Sequence, residues 1–201
     1  NENPVSIESL FNDSEEIKCE FENPKDTFDG IFTFLRNSIP NCDNLHDINI
    51  VDIQASSSKG TFQPSILCKE NPGWFWSSKE EPNQWVKFDF KNCRIRPDHY
   101  SIQTISNSLS TKHLKNWVLE GTNADGFTPS QVQENDPRII WTELDRRENN
   151  YDLSTLNSIA VFEVHNNDQF YRYIRLRMIG PNHYGNHTLA MKKIELFGQI
   201  F

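Results

Sequence analysis

From residue 48 onward the chain repeats one pattern: short runs rich in β-branched and aromatic residues, each closed off by Gly, Pro, Asn or Ser. The runs fall at 50–55, 85–90, 100–105, 117–120, 139–144, 159–164, 171–179 and 189–197. Several alternate cleanly. Val86, Phe88 and Phe90 face one way with Lys87 and Asp89 opposite, and Ile174, Leu176 and Met178 oppose Arg175 and Arg177. One-sided strands of this kind suit antiparallel sheets, and nothing between them offers the crossover helices a parallel sheet needs. The pattern predicts an all-β sandwich or barrel.

One helix is legible ahead of the strands. Phe28, Ile31, Phe32 and Leu35 fall at i, i+3, i+4 and i+7, with Asp26 or Thr27 expected as N-cap and Pro40 beyond the end. At 201 residues the chain holds enough apolar side chains for one sizeable core plus an extra segment. Its 28 acids outnumber 20 Lys plus Arg, for a net charge of −8, which opposes non-specific binding to nucleic acid or to an anionic membrane. Residues 1–27 carry −6 of that charge and read as an acidic leader or linker before a body at 28–201. The alternative for part of it is that Ile17, Cys19 and Phe21 add an edge strand. No apolar run approaches the roughly 18 residues that span a bilayer.

Cys19, Cys42, Cys68 and Cys93 lie far apart, with no C-x-x-C pair and no Cys/His cluster at zinc-ligand spacing. Reduced thiols acting as small hydrophobes are one expectation, and two disulfides in a secreted protein the other. A catalytic function is not expected: the six histidines are isolated, and there is no G-x-S-x-G, no H-E-x-x-H and no phosphate-binding Gly loop.

Seven segments in order carry a resemblance. They are Val51-Asp-Ile-Gln-Ala-Ser-Ser-Ser58, Trp74-Phe-Trp-Ser-Ser78, Gln84-Trp-Val-Lys-Phe-Asp-Phe90, Trp117-Val-Leu-Glu-Gly-Thr-Asn-Ala-Asp-Gly126, Trp141-Thr-Glu-Leu-Asp145, Tyr171-Arg-Tyr-Ile-Arg-Leu-Arg177 and Ile194-Glu-Leu-Phe-Gly198. Together they resemble the discoidin domain, also called the coagulation factor V/VIII type C domain. The resemblance covers 28–201 and implies an eight-stranded antiparallel jelly-roll sandwich of the galactose-binding-like type, here with a short N-terminal helix. Trp85, Phe88, Phe90, Trp117 and Trp141 are expected to fill the space between its sheets. Two features depart from the family. Gln199 stands where secreted members place a closing cysteine, and residues 127–140 are inserted before Trp141.

In this family, ligands meet loops at one end of the sandwich, which map here to 57–62, 108–115 and 180–188. The resemblance therefore implies a binding pole made of Lys59, Phe62, Lys112, His113, Lys115, Asn182, His183, Tyr184 and Asn186, with Leu114 and His187 beside them. This mildly basic, polar end suits a protein segment or a glycan, and the aromatic, amide and imidazole groups of 182–187 serve either. Phe62 and Leu114 with three lysines make only a thin version of a phospholipid-binding surface, so a membrane is not the expected partner. No cofactor is expected beyond a structural calcium, for which Asp43, Asp47 and Asp52 would supply oxygen ligands.

The helix followed by Asn44-Leu-His-Asp-Ile-Asn49 is similar to the intracellular branch of the family. That likeness implies a non-catalytic recognition module of a larger cytoplasmic adaptor, with domains upstream of the 1–27 linker. The other expectation is a secreted, extracellular carbohydrate-binding module or lectin.

Overall fold

The computed structural model describes residues 16–22, 25–106, 112–133, 136–166 and 168–201. In chain order they form β1 (Ile17–Cys19), α1 (Ile31–Asn37), β2 (Asp52–Ala55), β3 (Trp76–Ser77), β4 (Trp85–Asp89), β5 (Ile95–Gln103) and β6 (Trp117–Thr122). There follow α2 (Pro129–Gln133), β7 (Thr142–Arg147), β8 (Ile159–Glu163), β9 (Tyr173–Met178), β10 (Ala190–Met191) and β11 (Lys193–Ile200). All named strands pair antiparallel. One sheet has the order β1-β11-β5-β8, a second β2-β4-β9-β6-β7, and β3 pairs with β10 alone. Each run read from the sequence supplies a strand; the last is divided between β10 and β11, and 139–144 slides to Thr142–Arg147.

The alternation read in β4 and β9 points Val86, Phe88, Ile174, Leu176 and Met178 into the core, where all are fully buried. They meet Tyr100, Ile102, Ile194 and Leu196 of the four-stranded sheet in one cluster. A buried polar chain crosses the sandwich: Trp117 Nε1 donates to the Tyr100 hydroxyl at 2.8 Å, which donates to Asp145 Oδ2 at 2.7 Å. Trp117 and Tyr100 are each satisfied by the next group and Asp145 Oδ2 also accepts from Arg147 Nε at 2.7 Å, so these atoms join β5, β6 and β7, while Asp145 Oδ1 is buried without a hydrogen bond. Of the tryptophans expected between the sheets, Trp117 is there. Trp85 and Trp141 are not: both are half-buried, with Lys87 Nζ 4.9 Å from the Trp85 ring and the Arg175 guanidinium 3.9 Å from the Trp141 ring. The period of two explains Trp85, because residue 85 shares the face of 87 and 89.

Helix α1 starts later than expected. Its N-cap is Gly30, with no side-chain cap of its own, so neither Asp26 nor Thr27 serves. The cap comes from β11. Glu195, fully buried, accepts the Phe32 N–H at 2.8 Å, the Thr33 N–H at 3.1 Å and its neighbour Leu196 N–H at 3.0 Å. Gly30 permits this docking, since a Cβ there would stand 2.2 Å from the Leu196 carbonyl oxygen. Phe32 then packs on Phe88 and Phe90, at ring separations of 5.3 and 5.9 Å.

The described part of the insertion, 127–133 and 136–140, lies over the Lys87 region of the outer face of the five-stranded sheet. Across that face Gln54, Lys87, Arg175, Glu120 and Glu143 stand in register on β2, β4, β9, β6 and β7. Val132 of α2 packs with Ala124, Ile139 and Tyr173, and its carbonyl accepts the Lys87 ammonium. In the middle of that row Lys87, Arg175 and Glu120 are buried, and Lys87 is left 2% exposed. Burial, with Arg175 adding to it and Asp89 and Asp52 opposing, lowers the Lys87 pKa from 10.5 to about 8. An amine whose pKa is lowered by folding releases its proton more readily in the folded state. Its contribution to stability therefore rises with pH between about 8 and 10.5. Urea denaturation of the protein and of Lys87→Met across that window should show the wild type gaining up to about 3 kcal/mol on the variant. Parallel curves would mean the lysine is hydrated under α2.

Ile17–Cys19 adds to the edge of β11, the alternative reading of that segment, in the register Ile17 to Ile200; residues 1–15 lie outside the described set. None of the four cysteines stands in a disulfide, and Cys68 and Cys93 are buried with Cys19 and Cys42 half-buried. Burial pushes the Cys19 thiol up to about 12 and Cys68 well above its usual value, so neither is a reactive thiolate near neutrality.

Candidate functional site

The loop after β2 is built to stand up from the sandwich end. Ser56 and Ser57 hydroxyls donate to the Gln84 side-chain oxygen, Ser58 Oγ accepts the Trp76 indole N–H at 3.0 Å, and the Lys59 N–H donates to the Ser77 carbonyl at 2.8 Å. Gly60 then turns the chain at φ +81°, a conformation that side-chain-bearing residues rarely adopt. On the far side, the β3 and β10 pair is extended by the Ser78 N–H donating to the Leu189 carbonyl at 2.8 Å and Leu189 N–H donating to Ser78 Oγ at 2.9 Å. Between these walls lies a groove of about 380 Å³.

Three aromatic rings line it. Phe62 and Trp74 stack at 6.0 Å and Trp74 and Phe75 at 5.6 Å, with interplanar angles of 26° and 21°. Phe62 is 41% exposed and Trp74 49% exposed, whereas Trp76, two residues on, is fully buried. Lys59, Lys112 and Thr188 complete the rim. Trp74 and Phe75 stand in a segment that carries the family resemblance and are not among the residues it implied for the binding pole. The signal that marks them as loop is Asn71-Pro72-Gly73 immediately before, which delays the strand to Trp76.

The three loops expected to share a pole do meet. Lys59, Phe62 and Lys112 line one groove, and the His183 N–H donates to the His113 carbonyl at 3.0 Å; residues 107–111 lie outside the described set. Side chains of the third loop are mostly turned inward. Asn182 is 2% exposed; its Nδ2 donates to Asn186 Oδ1 at 2.7 Å and to the Thr188 carbonyl at 2.9 Å, and its Oδ1 accepts the Tyr184 and Asn186 N–H groups. These bonds shape the loop, occupy the Asn182 amide and engage Asn186 Oδ1, which also accepts the Thr188 N–H at 3.2 Å. His183 Nε2 donates to the Asn150 carbonyl at 2.9 Å and its ring lies 5.5 Å from Tyr151, over which Lys115 also sits at 5.7 Å. His113 and Leu114 are buried. Burial, with His183 beside it, holds the His113 imidazole below its usual pKa, so it is neutral at pH 7. Of the third loop's expected ligand groups, Tyr184 is the well-exposed one, at 66%.

The acids weighed for calcium do not converge. Asp43 pairs with Lys69 at 2.7 Å, and Asp52 lies 3.2 Å from His46 and 3.9 Å from Lys91. Among the described residues no group of three His, Cys, Asp or Glu side chains is placed to hold a metal, and no described helix is long and apolar enough to cross a membrane. A second groove of about 480 Å³ lies against the same loop, lined by His46, Gln54, Ser58, Gln63 and Trp85 among others. Its one indole, Trp85, is already faced by Lys87.

No family model and no curated protein matches the sequence. Solved structures do match. A family 32 carbohydrate-binding module from Clostridium perfringens, in complex with GalNAc-β-1,3-galactose, superposes over 75% of this chain and 96% of its own, with TM-score 0.54 and 11% identity. The fold is the galactose-binding-like jelly roll. The family 32 module of AlyQ, in complex with 4,5-unsaturated mannuronic acid, covers 74% of this chain and 95% of its own at TM-score 0.52 and 16% identity. A fucolectin from striped bass (Morone saxatilis) serum covers 74% of this chain and 47% of its own at TM-score 0.55 and 13% identity. The jelly roll positions the groove at the end of the sandwich where its loops gather.

Proposed function

We propose that this chain is a non-catalytic carbohydrate-binding module whose sugar lies against Phe62 and Trp74. The observation that carries the reading is the stacked, solvent-open aromatic wall in a groove rimmed by Lys59, Lys112 and Thr188. An exposed indole face supplies broad apolar contact for a sugar ring at little entropic cost, and the polar rim supplies hydrogen bonds to hydroxyls. The likeness to modules whose structures carry galactose-type and uronic sugars, and to a fucolectin, supports it. It also favours a secreted, extracellular setting over the cytoplasmic adaptor expected from the helix ahead of the first strand.

A glycan array followed by titration tests this. Trp74→Ala should weaken a hit at least about tenfold, equivalent to about 1.4 kcal/mol, and leave the melting temperature unchanged because the ring is half exposed. An array without hits, or a hit indifferent to Trp74→Ala, would remove the groove from the function.

A second reading, recognition of a protein segment by the same pole in a reducing compartment, is favoured by four cysteines of which none stands in a disulfide. A blank array together with a peptide ligand competing at Trp74 would select it.

A further inference from the structure

The groove's charge runs against that of the molecule. The chain carries 28 acids against 20 Lys plus Arg, yet the side chains lining this groove include two lysines and no carboxylate. Several partly buried bases elsewhere are matched by acids: Lys69 with Asp43 at 2.7 Å, Arg172 with Asp89 at 2.7 Å, Arg175 and Arg177 with Glu120 at 2.7 and 2.6 Å. Among the described residues no acid pairs with Lys59 or Lys112. Two lysines line an aromatic wall with no counter-charge among the described residues.

We propose that the ligand of this groove is an anionic glycan, a sugar bearing a carboxylate or a sulfate, with its ring on Phe62 and Trp74 and its charge between Lys59 and Lys112. The inference rests on the reading of the groove as a sugar site and names the class of sugar. Lysine is a compact point charge with rotatable donors and not a planar fork, so the pair selects for negative charge and not for one anion geometry. The site is open to solvent, so the attraction is modest and salt-sensitive.

The probes are a galacturonic acid oligomer, a galactose-based oligosaccharide carrying 6-sulfate, and a neutral galacto-oligosaccharide of equal length. Each is titrated at low and high salt into the wild type, K59Q/K112Q and Trp74→Ala. At low salt at least one anionic probe should bind about tenfold more tightly than the neutral one. The gap should shrink at high salt and close in K59Q/K112Q, and Trp74→Ala should weaken that probe's binding. Which anionic probe wins identifies carboxylate or sulfate as the source of the charge. A neutral probe that binds as tightly as both anionic ones, through Trp74, would overturn the inference and leave the sugar site standing. An anionic preference that survives in K59Q/K112Q would also overturn it, placing the charge readout elsewhere. No Trp74-dependent binding of any probe would remove both.

Discussion

Glu195→Ala is expected to lower the unfolding free energy by about 4 kcal/mol, a large share of the roughly 5–15 kcal/mol available to a domain. The carboxylate is fully buried and takes the N–H groups of Phe32 and Thr33 at the start of α1, the Leu196 N–H and the Thr33 hydroxyl. Alanine leaves those donors in an apolar pocket where water does not replace the lost acceptor. It also removes an acidic charge facing Arg36, whose guanidinium reaches the Cys68 carbonyl and Thr33 Oγ1. Because α1 seats Phe32 on Phe88 and Phe90, loosening the helix loosens the core beneath it. Glu195→Gln keeps an acceptor oxygen and should fall between the two in urea denaturation. A loss under about 1 kcal/mol for alanine would mean that α1 docks by its apolar face alone.

Glu120→Ala is expected to cost about 3–5 kcal/mol. Glu120 is 6% exposed and holds Arg175 and Arg177 together, at 2.7 and 2.6 Å. Without it two guanidinium groups face each other beside Lys87, in the cross-strand row whose middle is buried. Removing one member of a buried set leaves uncompensated charge, whereas removing the charge on both sides does not. Glu120→Leu combined with Arg175→Met should therefore recover more than half of the loss. If the double variant is as unstable as the sum of the single variants, the two sites do not interact.

The period-2 alternation of β4 and β9, the turn residues between runs and the lack of crossover helices were enough to read an antiparallel sandwich, because strand faces follow from local geometry. The same rule applied strictly would have placed Trp85 on the outer face. The helix was legible from Phe28, Ile31, Phe32 and Leu35, but its cap was not. Glu195 lies 163 residues from Phe32, and a capping group that distant leaves no trace in local pattern. Lys59, Phe62 and Lys112 were implied by the family resemblance as loop residues of one pole. Asn182 has the same composition as a ligand-binding amide, and what distinguishes it is that its hydrogen bonds are used up within its own loop.

The sequence by itself thus determined the class of fold and which side of each central strand is apolar, since both follow from spacings of a few residues, while the loops that gather at the sandwich end were implied by the family resemblance. Only the tertiary structure decided that Trp74 is exposed while Trp76 is buried, that Lys87 and Arg175 are buried on the outer face of the sheet, and that Lys59 and Lys112 face one aromatic groove. Those outcomes depend on which distant segments arrive beside a residue, and burial and charge pairing are properties of neighbours across the fold.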